Sequence, residues 1–218
     1  MSSQMGLRLV YENAKKLVGQ LGYDTSHAVA TQSYLRSEVL MTTTAAAYNV
    51  PVLINDNRNG APTVREQRLQ LQDLFVCSEL SMFLVSGAST SGIAPAYEYP
   101  DPSVFTTGSA QLFNVYNGKL QIVANNQQIL PAWDLLKHYF APFTQKGVGV
   151  TAQTVFPINQ ADFSVDITYP VEPNIVLNGA ANYQITMNLP AAPTTIDANT
   201  YVAFLWRGIL LQNCTTVK

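Results

Sequence analysis

Apolar residues recur at helical spacing in the first part of the chain. From Leu7 to Leu21 they fall every three or four positions, and polar residues such as Glu12 and Lys15 occupy the other side. Gly19 and Gly22 then end the pattern, as glycine does near a helix C-terminus. We therefore predict one amphipathic helix. A helix of this length is marginal alone, so it needs an apolar surface, either in its own domain or in an adjacent subunit.

Residues 23–62 show no clean period. They are rich in Thr, Ser and Ala, and we interpret them as a mostly extended arm that ends near Pro62. Residues 50–54 form a short β-prone run in which Pro51 limits pairing to a sheet edge or a strand start. The chain is thus divided into residues 1–62, a helix and arm, and residues 63–218, a β-domain.

Beyond residue 62 the pattern favours β-strands at nearly every step. The predicted strands are 68–73, 74–85, 111–116, 119–123, 163–169, 174–177, 183–189 and 201–211. The connections 87–105 and 145–162 are longer than hairpin turns, which favours a Greek-key arrangement over a meander. The expected fold is all-β: a single jelly-roll-like antiparallel sandwich of about eight strands, preceded by the amphipathic helix and the extended arm.

Two local elements are predicted inside this domain. Asn117-Gly118 separates the alternating segments 111–116 and 119–123, which is typical of a type I′ hairpin. The segment from Trp133 to Tyr139 follows a proline and has the spacing of a short helix.

Composition narrows the possible functions. Only 12% of residues are charged against 47% hydrophobic, with 12 Lys+Arg, 14 Asp+Glu and a net charge of -2. So few basic residues cannot supply the dense track of phosphate contacts that nucleic-acid binding needs. Asn, Gln, Thr and Ser take the place of charge on the surface. Such a surface suits a protein largely covered by neighbouring subunits, and it also suits an ordinary neutral β-rich domain.

The sequence shows no export or membrane signal. Residues 1–6 lack the basic and apolar parts of a secretory signal, and no apolar run approaches the length of a spanning helix. We expect a protein that is made in the cytoplasm and has no membrane-spanning segment. Cys77 and Cys214 lie far apart within apolar stretches, so we expect two buried free thiols.

Groups suited to catalysis are few. The two histidines, His27 and His138, lie outside any nucleophile motif, and we assign each a structural or surface role. Asp162 and Asp166 would share one side of a strand but lie about 13 Å apart, beyond the spacing that glycosidases use. Glu98 and Asp101 could approach each other, yet an isolated acidic pair is more often structural. We therefore expect no enzyme activity, no metal and no cofactor.

Aromatic residues remain as a functional reservoir. The chain has 11 Tyr, 9 Phe and 2 Trp. Tyr97, Tyr99 and Trp133 could line a sugar-binding groove, although core packing or subunit contacts explain them equally well. The tyrosines of the helix and arm lie outside the predicted β-core, so they imply a surface on which the arm docks.

Taken together, the chain resembles the jelly-roll capsid proteins of icosahedral viruses and bacteriophages. The resemblance is architectural, and the stretches 68–76, 115–120 and 207–213 are similar to segments of phage shell proteins. It implies a self-assembling, non-enzymatic shell subunit of the virion, assembled in the host cytoplasm, whose partners are copies of itself and other virion proteins. Many shell proteins of this kind begin with an arginine-rich arm. This arm lacks one, so no strong nucleic-acid binding through it is expected.

In this interpretation the helix and arm hold neighbouring copies together. The residues expected at the subunit interface are Val10, Tyr11, Leu17, Leu21, Tyr34 and Tyr48. The alternative is a carbohydrate-binding β-sandwich module on a phage head or fibre, in which Tyr97 and Trp133 would contact the sugar.

Overall fold

A computed structural model describes most of the chain. It covers residues 2–50, 69, 72–86, 96–102, 104–139, 168–179, 181 and 183–216, with the backbone alone described for 2–10 and 215–216. Within these ranges the chain is mainly β-strand, all sheet pairs are antiparallel, and there are two α-helices. The predicted all-β class is confirmed at this level.

The helices and strands follow one another in an order that places most strands after residue 72. They are α1 (Ser2–Gln20), β1 (Tyr23–Asp24), β2 (Val29–Leu40), β3 (Ala47–Asn49), β4 (Leu74–Ser86), β5 (Ala96–Tyr97), α2 (Ser109–Tyr116), β6 (Lys119–Ala124), β7 (Gln127–Asp134), a 3-10 helix (Leu135–His138), β8 (Tyr169–Asn178), β9 (Tyr183–Asn188), β10 (Thr200–Gln212) and β11 (Thr215–Thr216).

The described strands form two main sheets. Sheet 1 has the order β2-β10-β4, and β5 and β8 pair with opposite ends of β4. Sheet 2 has the order β3-β9-β6-β7, and β1 pairs separately with β11. Side chains of both sheets join in one hydrophobic core, which includes Met82 and Phe204 from sheet 1 and Ile122 and Met187 from sheet 2. Two sheets that share a core make a β-sandwich.

The strand pairs are nested along the chain. β2 pairs with β10, β3 with β9, β4 with β8, and β6 with β7, each antiparallel. Each later strand therefore returns beside an earlier one, as if one long hairpin had been folded into two sheets. The links β10 to β4 and β9 to β6 complete the sheets.

Part of the predicted arm is a strand of the sandwich. Residues 29–40 are extended, as expected, but all twelve pair with β10, from Val29 opposite Gln212 to Leu40 opposite Tyr201. This segment therefore does not lie apart from the β-domain. The predicted boundary near Pro62 lies outside the described residues.

The predicted hairpin around Asn117-Gly118 is wrong. Residues 109–116 form α2, whose buried residues are Leu112, Val115 and Tyr116, and the N–H of Asn117 donates to the carbonyl of Phe113 at the end of the helix. The spacing of these buried residues is three and four, which fits a helix on the core. A Cβ at Gly118 would lie 2.9 Å from the carbonyl oxygen of Asn188, so glycine permits the close approach to sheet 2.

The actual tight hairpin lies one strand later. β6 and β7 are joined by Asn125-Asn126, and both residues have positive φ, 48° and 67°. Positive φ at both central positions defines a type I′ turn, and Asn is among the residues that tolerate it. The predicted helix at 133–139 is a shorter 3-10 helix over Leu135–His138, begun by Asp134, whose Oδ1 accepts from the N–H of Leu136 at 3.0 Å.

Candidate subunit interface

Sheet 1 has one face in the core and one face outside it. Along β10 the even residues Val202, Phe204 and Trp206 belong to the main core, and the odd residues point to the opposite face. The strand register then assigns the outward positions of β2 and β4. We call this opposite surface the outer face.

Helix α1 packs against one end of the outer face. Ala14 and Val18 of the helix are 4% and 0% exposed. They belong to a cluster with buried strand side chains, which are Leu74, Val76, Ile209 and Leu211. We call this region the helix-covered end. The apolar surface that the amphipathic pattern required is therefore supplied by the helix's own domain.

A β-bulge separates this region from the rest of the outer face. The register of β10 against β4 shifts between Arg207 and Gly208. A Cβ at residue 208 would lie 1.9 Å from the carbonyl oxygen of Val76, so only glycine fits without moving the backbone. Bulges bend a strand and increase its local twist.

The other end of the outer face carries larger exposed side chains. Its small cluster consists of Val85 and Ala203, with Phe83 and Tyr201 packed beside them, and within the described part of the chain no helix joins this cluster. Along β2, Tyr34 is 44% and Leu40 is 46% exposed. We call this region, outward residues 34–40, 81–85 and 201–205, the open end.

Charge on the open end is balanced. Arg36 and Glu38 both face outward on β2, and their side chains form an ion pair in which Nη2 of Arg36 lies 2.5 Å from Oε1 of Glu38. The Arg36 side chain is 23% exposed and the Glu38 side chain is 12% exposed. Their strand neighbours on β10 are the apolar Leu205 and Ala203. An internally neutralised pair leaves little net field to repel an identical surface.

The six residues expected at the interface have different positions. Tyr34 and Leu21 are exposed, at 44% and 55%. Tyr11 and Leu17 are partly buried against the helix-covered end. Val10 lies in α1, and only its backbone is described.

Tyr48 does not fit the expected interface. It is 6% exposed, belongs to the main core, and its hydroxyl donates to the carbonyl oxygen of Thr42 at 2.9 Å. Its position in β3 of sheet 2 explains this burial, because β3 faces the core on alternate residues. The contacts of the Tyr48 side chain are therefore made within its own chain.

Sequence reasoning missed Leu40. Val39 and Met41 are buried at 7% and 4%, so the residue between them in an extended segment points outward. The run of three apolar residues from Val39 to Met41 was the sequence feature that could have indicated an outward apolar residue at this strand end. The register places Leu40 opposite Tyr201, another outward residue of the open end.

A second group of aromatic residues lies around α2. The ring centroid of Tyr139 lies 5.1 Å from that of Tyr116, in an edge-on contact, and 5.7 Å from that of Phe113. The ring centroids of Tyr97 and Phe105 are also 5.7 Å apart. Next to them, the hydroxyl of Tyr99 donates to Asp101 at 2.9 Å. Burial is the main cause that raises the pKa of Tyr99 to about 12, and the hydrogen bond to Asp101 is the second cause.

Trp133 is not available for stacking on a sugar. It is 7% exposed, and its Nε1 donates to Nε2 of His138, itself 1% exposed, at 2.9 Å. His138 is buried and hydrogen-bonded within the fold, which agrees with a structural role, and His27 is exposed. Asp162 and Asp166 lie outside the described residues.

Other predicted features concern reactive groups and membranes. Cys77 and Cys214 are free and buried, as predicted, and burial raises the pKa of Cys77 to about 12. Among the described residues no group of three or more His, Cys, Asp or Glu is arranged to hold a metal ion. In the same ranges, no helix combines the length and the apolar character needed to cross a membrane.

Comparison with known proteins found no matching protein-family profile, no matching curated protein and no matching solved structure.

Proposed function

We propose that this chain is a jelly-roll subunit of a virion shell. The observation that carries the proposal is the nested antiparallel pairing of eight strands, β2 with β10, β3 with β9, β4 with β8, and β6 with β7. Apart from β5, a two-residue strand added to sheet 1, these strands form a long hairpin of four nested pairs folded into two sheets, an arrangement typical of a jelly roll. Viral capsid proteins, lectins and cupins are built on this fold.

The outer face favours the capsid subunit among these classes. Tyr34 and Leu40 are large apolar side chains with 44% and 46% exposure on a face whose ion pair is internally neutral. Tyrosine is enriched at protein interfaces because it offers apolar area together with a polar tip. A charged fraction of 12% agrees with a surface that lies against other subunits.

In the proposed assembly, the open end of one subunit contacts its neighbours. Leu21, 55% exposed at the end of α1, and Val29, 53% exposed at the start of β2, add a second apolar contact. Helix α1 itself acts as a structural cover rather than a tether between copies, since Ala14 and Val18 pack on their own sheet.

The proposed role is structural and non-enzymatic. The subunit would be assembled in the host cytoplasm and reside in the virion with copies of itself and other virion proteins. Strong nucleic-acid binding by the N-terminal segment is not part of the proposal. Residues 1–50 contain four basic residues, and one of them, Arg36, is paired with Glu38.

Electron microscopy of the purified full chain tests this function. The proposal expects rings or closed particles of uniform size in negative stain, because copies related by closed symmetry form finite shells. Deleting α1 is a poor test, since it would also expose Leu74, Val76 and Leu211. Monomers alone, at every concentration and salt condition used for virion proteins, would contradict the proposal.

A further inference from the structure

Strand β2 lies at the edge of sheet 1. Among the described strands it pairs only with β10, and that pairing runs without a register shift over all twelve residues. Natural proteins usually protect an edge strand by making it short or by adding a bulge, a proline or a lysine. Residues 29–40 contain neither proline nor lysine, and the strand is about twice the usual length. β2 is therefore suited to pairing with a further strand.

The backbone of β2 presents hydrogen-bonding groups on the side away from β10. Met41 continues the strand, and its N–H donates to the carbonyl oxygen of Thr200 at 2.8 Å. In an antiparallel pair, alternate residues direct both backbone groups towards the partner strand, and the residues between them direct theirs away. The odd residues of β2 therefore bond to β10, and the even residues direct their N–H and C=O groups to the other side. We call this side the β2 edge. Within the open end, its residues are Tyr34, Arg36, Glu38 and Leu40.

Only one register of two β2 strands sets opposite charges against each other. Because the even residues carry the backbone groups of the β2 edge, even residues of one copy must pair with even residues of the other. The two-fold axis between antiparallel copies then passes at one residue. Centring on Arg36 or on Glu38 would set that residue opposite itself. Centring on Ser37 sets Arg36 opposite Glu38, and every other centre sets the two charged residues opposite uncharged ones.

Centring the pair on Ser37 also matches the remaining side chains. The exposed Tyr34 of each copy then lies opposite the exposed Leu40 of the other. Opposite charges and apolar side chains directly across a strand pair stabilise a sheet, whereas like charges destabilise it. At the centre, the two serines form a non-bonded pair, where side chains approach most closely, and serine is small enough for this approach.

Arg36 has a donor that a second copy would use. Its Nη2 binds Glu38 of its own strand, and its Nε is buried without a hydrogen-bond partner. A guanidinium group can donate to more than one acceptor. The carboxylate of Glu38 from the other copy lies across the strand pair and supplies such an acceptor.

We propose that two copies of this chain pair antiparallel through the β2 edge, centred on Ser37, so that sheet 1 continues from one subunit into the next. The inference rests on the proposed function, because it names the partner and the geometry by which the open end joins subunits. The contact is isologous, with the same strand used by both copies, and main-chain hydrogen bonds provide part of its affinity.

Disulfide cross-linking of the full chain tests the register. A tagged Arg36→Cys chain is mixed with an untagged Glu38→Cys chain under mild oxidation, and the products are separated without reductant. The proposal expects a mixed dimer, because a bonded antiparallel pair places the two Cα atoms about 5.5 Å apart, within disulfide range. Either variant alone should give little product, since its cysteines would be diagonal neighbours about 7–8 Å apart. Lys16→Cys, at an exposed position of α1, mixed with Glu38→Cys is the matched control for random collisions.

Charge complementation tests the contact without a cross-link. Arg36→Glu and Glu38→Arg each set like charges across the strand pair, so each variant alone should associate at least about tenfold more weakly than the wild type. An equimolar mixture sets an acidic edge against a basic one and should restore association. Neither chain keeps its internal ion pair, so restoration requires contact between copies. Lys16→Glu is the control of equal charge change and should associate as the wild type does in sedimentation velocity. Urea unfolding checks that each variant is folded.

The outcomes separate this inference from the proposed function. The inference is overturned if the mixed cysteine chains cross-link no more than the Lys16→Cys control, or if the mixed charge variants associate no better than either alone. Shell-like particles without the mixed cross-link would overturn the inference and leave the proposed function standing. A cross-linked dimer that never forms particles would support the inference and count against the proposed function.

Discussion

The two ends of the outer face of sheet 1 use the same strands but different side chains. At the helix-covered end, β4 and β10 present the aliphatic residues Leu74, Val76, Ile209 and Leu211, all at or below 5% exposure. At the open end, β4 and β10 again present buried side chains, Val85 at 0% and Ala203 at 2%, but the neighbouring strand β2 presents Tyr34 and Leu40 at more than 40% exposure. Aliphatic residues belong under a permanent cover, whereas tyrosine tolerates both water and a partner. The helix-covered end is therefore closed by a contact within the chain, and the proposed function assigns the exposed side chains of the open end to contacts with neighbouring subunits.

The largest expected effect is at the helix-covered end. Leu211→Ala should lower the free energy of unfolding by about 3 kcal/mol, because it removes buried methyl groups and leaves a cavity beneath α1. Leu40→Ala, the same substitution at the open end, should change it by less than about 0.5 kcal/mol. Urea unfolding of both variants under monomeric conditions measures the difference. Equal losses would remove the physical distinction between the two ends.

The bulge between the ends gives the next effect. Gly208→Ala should cost about 1–3 kcal/mol, because the new Cβ would lie 1.9 Å from the carbonyl oxygen of Val76. Gly19→Ala is the matched control, since a Cβ at that helical position has nothing within 4 Å. It should stabilise the protein by up to about 1 kcal/mol. Thermal or urea unfolding that ranks the two variants the other way would show that the bulge is not tightly packed.

The smallest expected effect is the loss of folding stability at low pH. Hydrogen bonds from Ser26 lower the pKa of Asp24 near the helix-covered end, and those from Thr107 lower the pKa of Asp197 in the connection to β10. A lowered native pKa contributes stability above the unfolded value of about 3.9, and this contribution is lost as the pH falls through the native pKa. Asp24 is exposed and Asp197 is partly exposed, so screening by solvent keeps the contribution of Asp197 to a few tenths of a kcal/mol.

Substitution separates these carboxylates from the packing difference. Asp197→Asn and Asp24→Asn should each be slightly less stable than the wild type near neutral pH and should lose less stability on acidification below about pH 4. Urea unfolding at several pH values measures this. A similar response at the two ends would show that they differ in packing rather than in charge, while a large loss at only one end would assign that difference to electrostatics.

Long strands with large apolar side chains could be predicted from the sequence. β4, β9 and β10 lie within one residue of the predicted segments at each end. β2 was harder to predict, because its inward residue Ser37 is polar although only 3% exposed. Ser37 lies opposite the large Phe204 of β10. A small residue beside a large one packs well but interrupts the hydrophobic period. Only the pairing with β10 reveals the strand.

The helix at 109–116 shows a second limit of sequence reasoning. Leu112, Phe113, Val115 and Tyr116 satisfy helical spacing as well as an imperfect alternation. The Asn-Gly pair favoured a hairpin in the sequence-based prediction. In the structure the segment is a helix, which buries Leu112, Val115 and Tyr116 against the core. Tyr34 was predicted to lie at a subunit interface; it is 44% exposed, and its interface role stays a prediction. The open end as a surface was not predicted, because it depends on which part of the outer face α1 covers.

Sedimentation velocity of the wild type beside the double variant Tyr34→Ser/Leu40→Ser tests the central claim most directly. A variant with Ile129→Ser and Leu136→Ser, which are 40% and 54% exposed on β7 and the 3-10 helix, is the matched control. We predict that the wild type and the control sediment as large assemblies, and that the Tyr34/Leu40 variant remains a folded monomer of 23.9 kDa. A wild type that stays monomeric, or a Tyr34/Leu40 variant that assembles as the wild type does, would contradict the account.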